Sequence, residues 1–220
     1  RMNVNSNTYV MGFAVAICVG KSTVLALIAN VLRPAQQAAA EFDRQKNVMM
    51  AAGLIQPGDP RPRTELEQVY QQRVQEAVID TTTGQVVAGK VPKDVEELNK
   101  TPGATAPSGA TRYRVVATTR DDAGKLEAIV LPVSGRGLWS TLYGYLALES
   151  DANHVRGITF YKHGETPGLG GEVENRAWTA QWRGKRILAE DGDLKSIVVK
   201  KGTVDPSVPV EKAHYVDGLS

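Results

Sequence analysis

Residues 135–140 read Gly135-Arg136-Gly137-Leu138-Trp139-Ser140, residues 142–149 read Leu142-Tyr143-Gly144-Tyr145-Leu146-Ala147-Leu148-Glu149, and residues 164–175 read Gly164-Glu165-Thr166-Pro167-Gly168-Leu169-Gly170-Gly171-Glu172-Val173-Glu174-Asn175. The middle run is aromatic and apolar, as a buried strand is. The two flanking segments are rich in glycine, which permits positive φ and close backbone approach, and the second adds a stiffening proline. Such a loop is either a set of turns or a cradle for something bound, and composition alone favours the turn.

Working outward, residues 155–161 form a second apolar run across the polar turn 150–154, which makes a hairpin. Residues 113–118 and 126–133 make another around the turn 121–124, and residues 197–199 read as a further strand. Residues 176–182 predict a short helix with Trp178 and Trp182 on one side. Upstream, Thr64 and Glu67 have the spacing of a capping box. The helix it would open carries Leu66, Val69, Tyr70, Val74, Ala77 and Val78 along one face. A turn at Thr83-Gly84 with a short strand, one or two helical turns in 94–99 and a small-residue loop over 101–111 complete the domain. This order predicts an α+β fold with a mostly antiparallel sheet.

The amino-terminal part is different. Residues 8–32 cover 25 positions that are nearly all apolar, enough to cross a ~30 Å hydrocarbon core at ~1.5 Å per residue. Lys21 stands near the middle and would cost ~3 kcal/mol on insertion scales. A signal peptide is the alternative, although no A-x-A pattern follows directly and the apolar region is long. Gly20-Lys21-Ser22 does not close a P-loop, because position 15 is Val15 where that motif requires glycine. Pro34 is expected to end or kink this first helix, a second helix to occupy 35–52, and 56–63 to be a linker. The expected organisation is therefore an anchor at 1–33, a helical connector and linker at 34–63, and a folded domain at 64–220.

Composition narrows the function. With 26 basic and 24 acidic side chains, the net charge of +2 speaks against a nucleic-acid partner. One cysteine, Cys18, and three scattered histidines give neither a disulfide nor the ligand spacing of a metal site, so no metal is expected.

Residues 137–140, 164–175 and Val216-Asp217-Gly218-Leu219-Ser220 together carry a resemblance. The chain resembles the C subunits of the bacterial sodium-translocating NADH:quinone oxidoreductase and, more distantly, the G subunits of the related ferredoxin:NAD oxidoreductase. The resemblance implies a single-pass inner-membrane protein with its main domain on the periplasmic side, acting as an electron relay with no catalytic residues of its own. Its implied partners are the other subunits of the complex and a flavin-attaching transferase. It implies FMN esterified through its phosphate to a threonine in a motif of Asp, two variable residues, Ser or Thr, then Gly-Ala-Thr. Residues 217–220 match the first four positions, so the threonine is expected just beyond Ser220 and the sequence reads as truncated. Residues 108–111 repeat the Ser-Gly-Ala-Thr portion without the aspartate, which makes Thr111 a weak decoy. The cofactor-binding residues implied are Trp139, Ser140, Glu165, Thr166, Gly168, Leu169, Gly170, Gly171 and Ser220, with Arg136 either near the phosphate or merely at the surface. The residues themselves leave a second reading open, a membrane-anchored binding or assembly module without a redox cofactor.

Overall fold

A computed structural model of the chain describes residues 7–101, 103–105 and 111–219. Ser220 and residues 106–110 lie outside the described residues. The chain divides into two compact units, Arg1–Arg44 and Gln45–Ser220.

Helix α1 runs unbroken from Asn7 to Ala51 and contains Pro34, so the expected stop at Pro34 is corrected. Proline removes one N–H and crowds the preceding turn, but a long helix absorbs this as a local defect. The end of α1 has a different cause. Gly53 at φ 73° bonds its N–H to Met50 O and Leu54 N–H reaches Met49 O, which together form a Schellman cap. Val48, Met49, Ala51 and Ala52 on this last turn are buried. Arg156 donates to the Ala52 carbonyl at 2.7 Å and supplies a partner the helix end lacks.

Helix α2 (Arg63–Arg73) lacks the expected capping box: its N-cap is Pro62, with no side-chain cap. Glu67 bonds Arg63 at 2.7 Å and does not reach back to Thr64. The helix also stops earlier than the apolar spacing predicts, because strand β1 begins at Val74 and runs to Asp80. Val74 and Val78 are four apart, a separation that keeps two residues on one face of a strand as well as of a helix. That shared spacing hides the boundary in the sequence.

A six-stranded antiparallel sheet follows, in the order β2-β1-β3-β4-β5-β6. Its other members are β2 (Gln85–Val86), β3 (Tyr113–Arg120), β4 (Leu126–Arg136), β5 (Thr141–Glu149) and β6 (Val155–Lys162). Between β2 and β3 lies the short helix α3 (Val95–Leu98). The sheet contains the two hairpins its sequence predicts, β3–β4 and β5–β6, and adds β1, read from the sequence as helix, beside β3; β4 pairs with β5 from Ala128↔Glu149 to Arg136↔Thr141. A 3-10 turn (Gly170–Glu174) and helix α4 (Arg176–Ala180) then lead away from β6. A second sheet of two parallel strands joins β7 (Val198–Lys200) to β8 (Tyr215–Asp217), with helix α5 (Pro209–His214) between them. Neither α5 nor β8 is anticipated from the sequence, since both are too short for a periodicity to develop.

Candidate functional site

The site is built where two strands of the large sheet end. Residues 137–140 connect β4 to β5 and close on themselves through Gly137 N–H to Ser140 O at 2.8 Å. Residues 163–169 leave β6 and pass into the 3-10 turn. Within them Thr166 O accepts from Leu169 N–H at 3.2 Å and Gly171 N–H at 3.0 Å, with Gly168 at φ 74°. Proline followed by glycine at positive φ is the residue pair that a type II turn demands.

Glu165 joins the two loops. Its buried carboxylate accepts from Leu138 N–H at 3.3 Å, Trp139 N–H at 3.1 Å, Ser140 N–H at 3.0 Å and the Ser140 hydroxyl at 3.2 Å. Three successive amides around one anion make a nest. Burial pushes the Glu165 carboxyl up, but the donors from Ser140, Trp139 and Leu138 outweigh it and hold the group below the ordinary glutamate range. The arrangement leaves no room for larger residues. A Cβ on Gly137 would stand 2.4 Å from Glu165 Oε1, and one on Gly170 would stand 2.8 Å from Oε2. The Ser140 hydroxyl also accepts from Gly164 N–H at 2.6 Å. His163 Nδ1 accepts from Glu165 N–H at 3.2 Å, which puts the neutral ring's proton on Nε2. That nitrogen is buried 3.0 Å from Glu174 Oε1, within ion-pair distance but outside hydrogen-bond geometry.

Beside this polar knot three large apolar side chains turn to solvent. Leu138 is 82% exposed, Trp139 73% and Leu169 63%. Exposed apolar side chains gathered on two adjoining loops are the kind of surface a ligand or partner can cover. Thr166 also faces solvent, as does Arg136. Gly168 and Gly171 shape the turn, and Gly171 and Ser140 are half-buried.

The carboxy-terminal strand is fixed beside these loops by residues that the sequence assigns only to a core. Val173, Trp178 and Val216 form a buried cluster with Leu142, Phe160, Trp182 and Ile197 packed against it. Leu142 follows the first loop and Val173 belongs to the second, so one cluster ties both to β8. Trp178 Nε1–H donates to Asp217 O at 2.8 Å, Asp217 N–H donates to Gln181 Oε1 at 2.8 Å, and Asp217 Oδ1 accepts from Val204 N–H at 2.7 Å. Asp217 is thus held at its carbonyl, its amide and its side chain. Thr111 lies two residues before β3, exposed and bridged to Thr105, with its carbonyl accepting from Thr81 Oγ1 at 3.4 Å.

Residues 137–220, which begin at the first loop and include the second loop and β8, match the family model described as an FMN-binding domain. Over 230 residues the chain is 37% identical to the C subunit of the Na(+)-translocating NADH-quinone reductase of Pseudomonas aeruginosa, covering 99% of this chain and 86% of that one. The C subunit from Yersinia pestis is 35% identical over 217 residues, covering 94% and 79%. The chain belongs to the NqrC family, the C subunits of the sodium-translocating NADH–quinone reductases. The fold agrees. The crystal structure of Shewanella oneidensis NqrC superposes with a TM-score of 0.67 at 30% identity, covering 83% of this chain and 85% of that one. The crystal structure of the C subunit from Parabacteroides distasonis superposes with a TM-score of 0.62 at 26% identity, covering 86% and 84%.

The residues at the two loops fit FMN. An apolar pair of loops at the surface suits a flat ring, a saturated knot beneath keeps them rigid, and a clamped strand leads toward the expected ester. With four donors from the chain itself, the Glu165 carboxylate holds the two loops together.

Proposed function

We propose that this chain is the FMN-carrying relay subunit of a membrane complex that oxidises NADH, reduces quinone and transports sodium. The observation that supports this most is the union of both glycine loops and the strand carrying Asp217 inside one FMN-binding match. FMN supplies the electron chemistry, and the protein sets its position and surroundings. Trp139, Leu138 and Leu169 would flank the ring and exclude water from it. The Thr166 hydroxyl and the backbone amides of Gly168 and Gly170 would be the donors to its polar edge, since the Ser140 hydroxyl donates to Glu165 and the Gly171 N–H to Thr166 O. Glu165 would keep the loops in register, and Ser220 would precede the threonine that carries the phosphate ester. In this reading residues 1–33 anchor the chain, 34–63 connect and 64–220 hold the flavin. Among the described residues one helix, α1, is long and apolar enough to cross a membrane, with a mean hydropathy of 2.0 over its most apolar 18-residue window. The folded domain would lie on the periplasmic side of the inner membrane, where a flavin-attaching transferase would modify it and the other subunits would exchange electrons with it.

The test uses the full-length chain made together with the transferase. Intact mass should exceed the polypeptide mass by one esterified FMN, and the band should fluoresce in a denaturing gel. A colourless protein of unmodified mass would leave an assembly module instead. Orientation is tested separately, by whether an impermeant thiol reagent labels a cysteine introduced at residue 190 in intact spheroplasts.

A further inference from the structure

Lys21 is the charge that the proposed relay role does not use. Between residues 7 and 32 of α1 it is the only ionisable carboxylate or amine side chain. Tyr9 and Arg33 each lie twelve positions from it, ~18 Å along the helix in either direction. Half of a ~30 Å core is ~15 Å, more than twice the ~6 Å that a lysine stem can snorkel. The nearest acidic residue along the helix is Glu41, ~30 Å away, so α1 holds no counter-charge within reach. The positions one turn away, Ile17, Cys18, Val24 and Leu25, offer no carboxylate and no amide. The nearby hydroxyl of Thr23 is committed to its own helix through Val19 O at 2.8 Å.

A charged side chain at such a depth almost always turns toward a protein neighbour or a water-filled cavity, and an opposite charge on a neighbouring helix is its strongest partner. A second copy of this chain would bring another lysine to the same depth and repel. Lipid phosphates lie beyond reach at both ends. On the face of Lys21, Ala14 and Cys18 are small enough for a neighbouring helix to approach.

We propose that Lys21 is a docking point for a transmembrane helix of a partner protein in the complex, one that carries an aspartate or glutamate at mid-bilayer depth. This rests on the membrane-spanning reading of α1 given under the proposed function.

The experiment compares wild type with Lys21→Arg, Lys21→Leu and Lys21→Glu in the full chain, co-produced with the other subunits of the complex in bacterial membranes. The complex is solubilised and purified through a tag on another subunit, and the ratio of this chain to the tagged one is measured. Lys21→Arg should keep the wild-type ratio, while Lys21→Leu and Lys21→Glu should lower it roughly tenfold. All should remain in the membrane after alkaline carbonate extraction, which separates lost docking from lost insertion. Changing the partner's carboxylate to lysine should restore Lys21→Glu alone. Cys18, the chain's single cysteine, should cross-link under oxidation to a cysteine placed beside that carboxylate. A wild-type ratio for Lys21→Leu overturns the proposal, and so does a Cys18–Cys18 homodimer formed in the purified complex. A wild-type chain that carbonate strips from the membrane overturns the membrane reading, and this inference with it.

Discussion

At the scale of single residues, Glu165 decides whether the two glycine loops form one object. Its carboxylate is depressed below the ordinary glutamate range by donors that exist only in the folded state. The linkage sign follows. A depressed acid contributes stability above its unfolded value near ~4.3, and that contribution is lost as pH falls through the lower folded value. The melting temperature of wild type should therefore exceed that of Glu165→Gln by a constant margin above about pH 5, and the margin should shrink toward zero below it. A margin that does not change between pH 6 and pH 3 would show that the charge of Glu165 is irrelevant to the cradle. Gly170→Ala is the steric counterpart. The added Cβ would meet Glu165 Oε2 at 2.8 Å and Glu165 Cβ at 3.0 Å, and the carboxylate cannot swing aside without breaking its bonds. A cost of about 1–3 kcal/mol is expected from urea unfolding, with reduced flavin occupancy. None of this could be read from the sequence. The glycines and the glutamate are visible as a motif, but that the carboxylate faces the amides of 138–140 depends on β4 and β6 finishing at the same end of the sheet, on either side of β5.

At the scale of elements, what was legible and what was not divide by length. Residues 113–118 with 126–133, and 142–149 with 155–161, are long enough to announce two hairpins, and the structure pairs β3 with β4 and β5 with β6. The boundary between α2 and β1 was illegible because Val74 and Val78 satisfy both periods. Strand β8 is three residues long, and only its contacts make it a strand. Those contacts carry a prediction. Trp178→Phe keeps an aromatic ring in the Phe160–Trp182 cluster but deletes the donor to Asp217 O. The orphaned carbonyl should cost about 1–2 kcal/mol, and amide hydrogen exchange should quicken at 215–218 while β4 and β5 stay protected. Covalent FMN should fall in the same variant, since the transferase would meet a loosened strand. Unchanged exchange at 215–218 would mean that the indole bond contributes nothing to holding β8.

At the scale of the whole molecule, α1 is one helix with two kinds of surroundings along its length. Its apolar first half is exposed, while Val48 and Met49 near its end are 1% and 0% exposed and count among the most deeply buried side chains described. Gly157 of β6 lets the last turn come close, since a Cβ there would stand 2.5 Å from Ala51 O. The last turn of the helix is therefore part of the folded unit, and where the chain is cut should matter sharply. A version beginning at residue 40 keeps that turn, its Schellman cap and the Arg156 bond, and should be soluble with a melting temperature within a few degrees of the full chain in detergent. A version beginning at residue 54 loses Val48 and Met49 from the core. Each contributes about 1.5–3 kcal/mol on burial, so the pair removes about 3–6 kcal/mol from a total that for a domain is about 5–15 kcal/mol. That version should unfold at a far lower temperature or fail to fold, as circular dichroism against temperature would show. Equal melting of the two versions would mean that the sheet stands without α1, and that the buried turn is only resting on it.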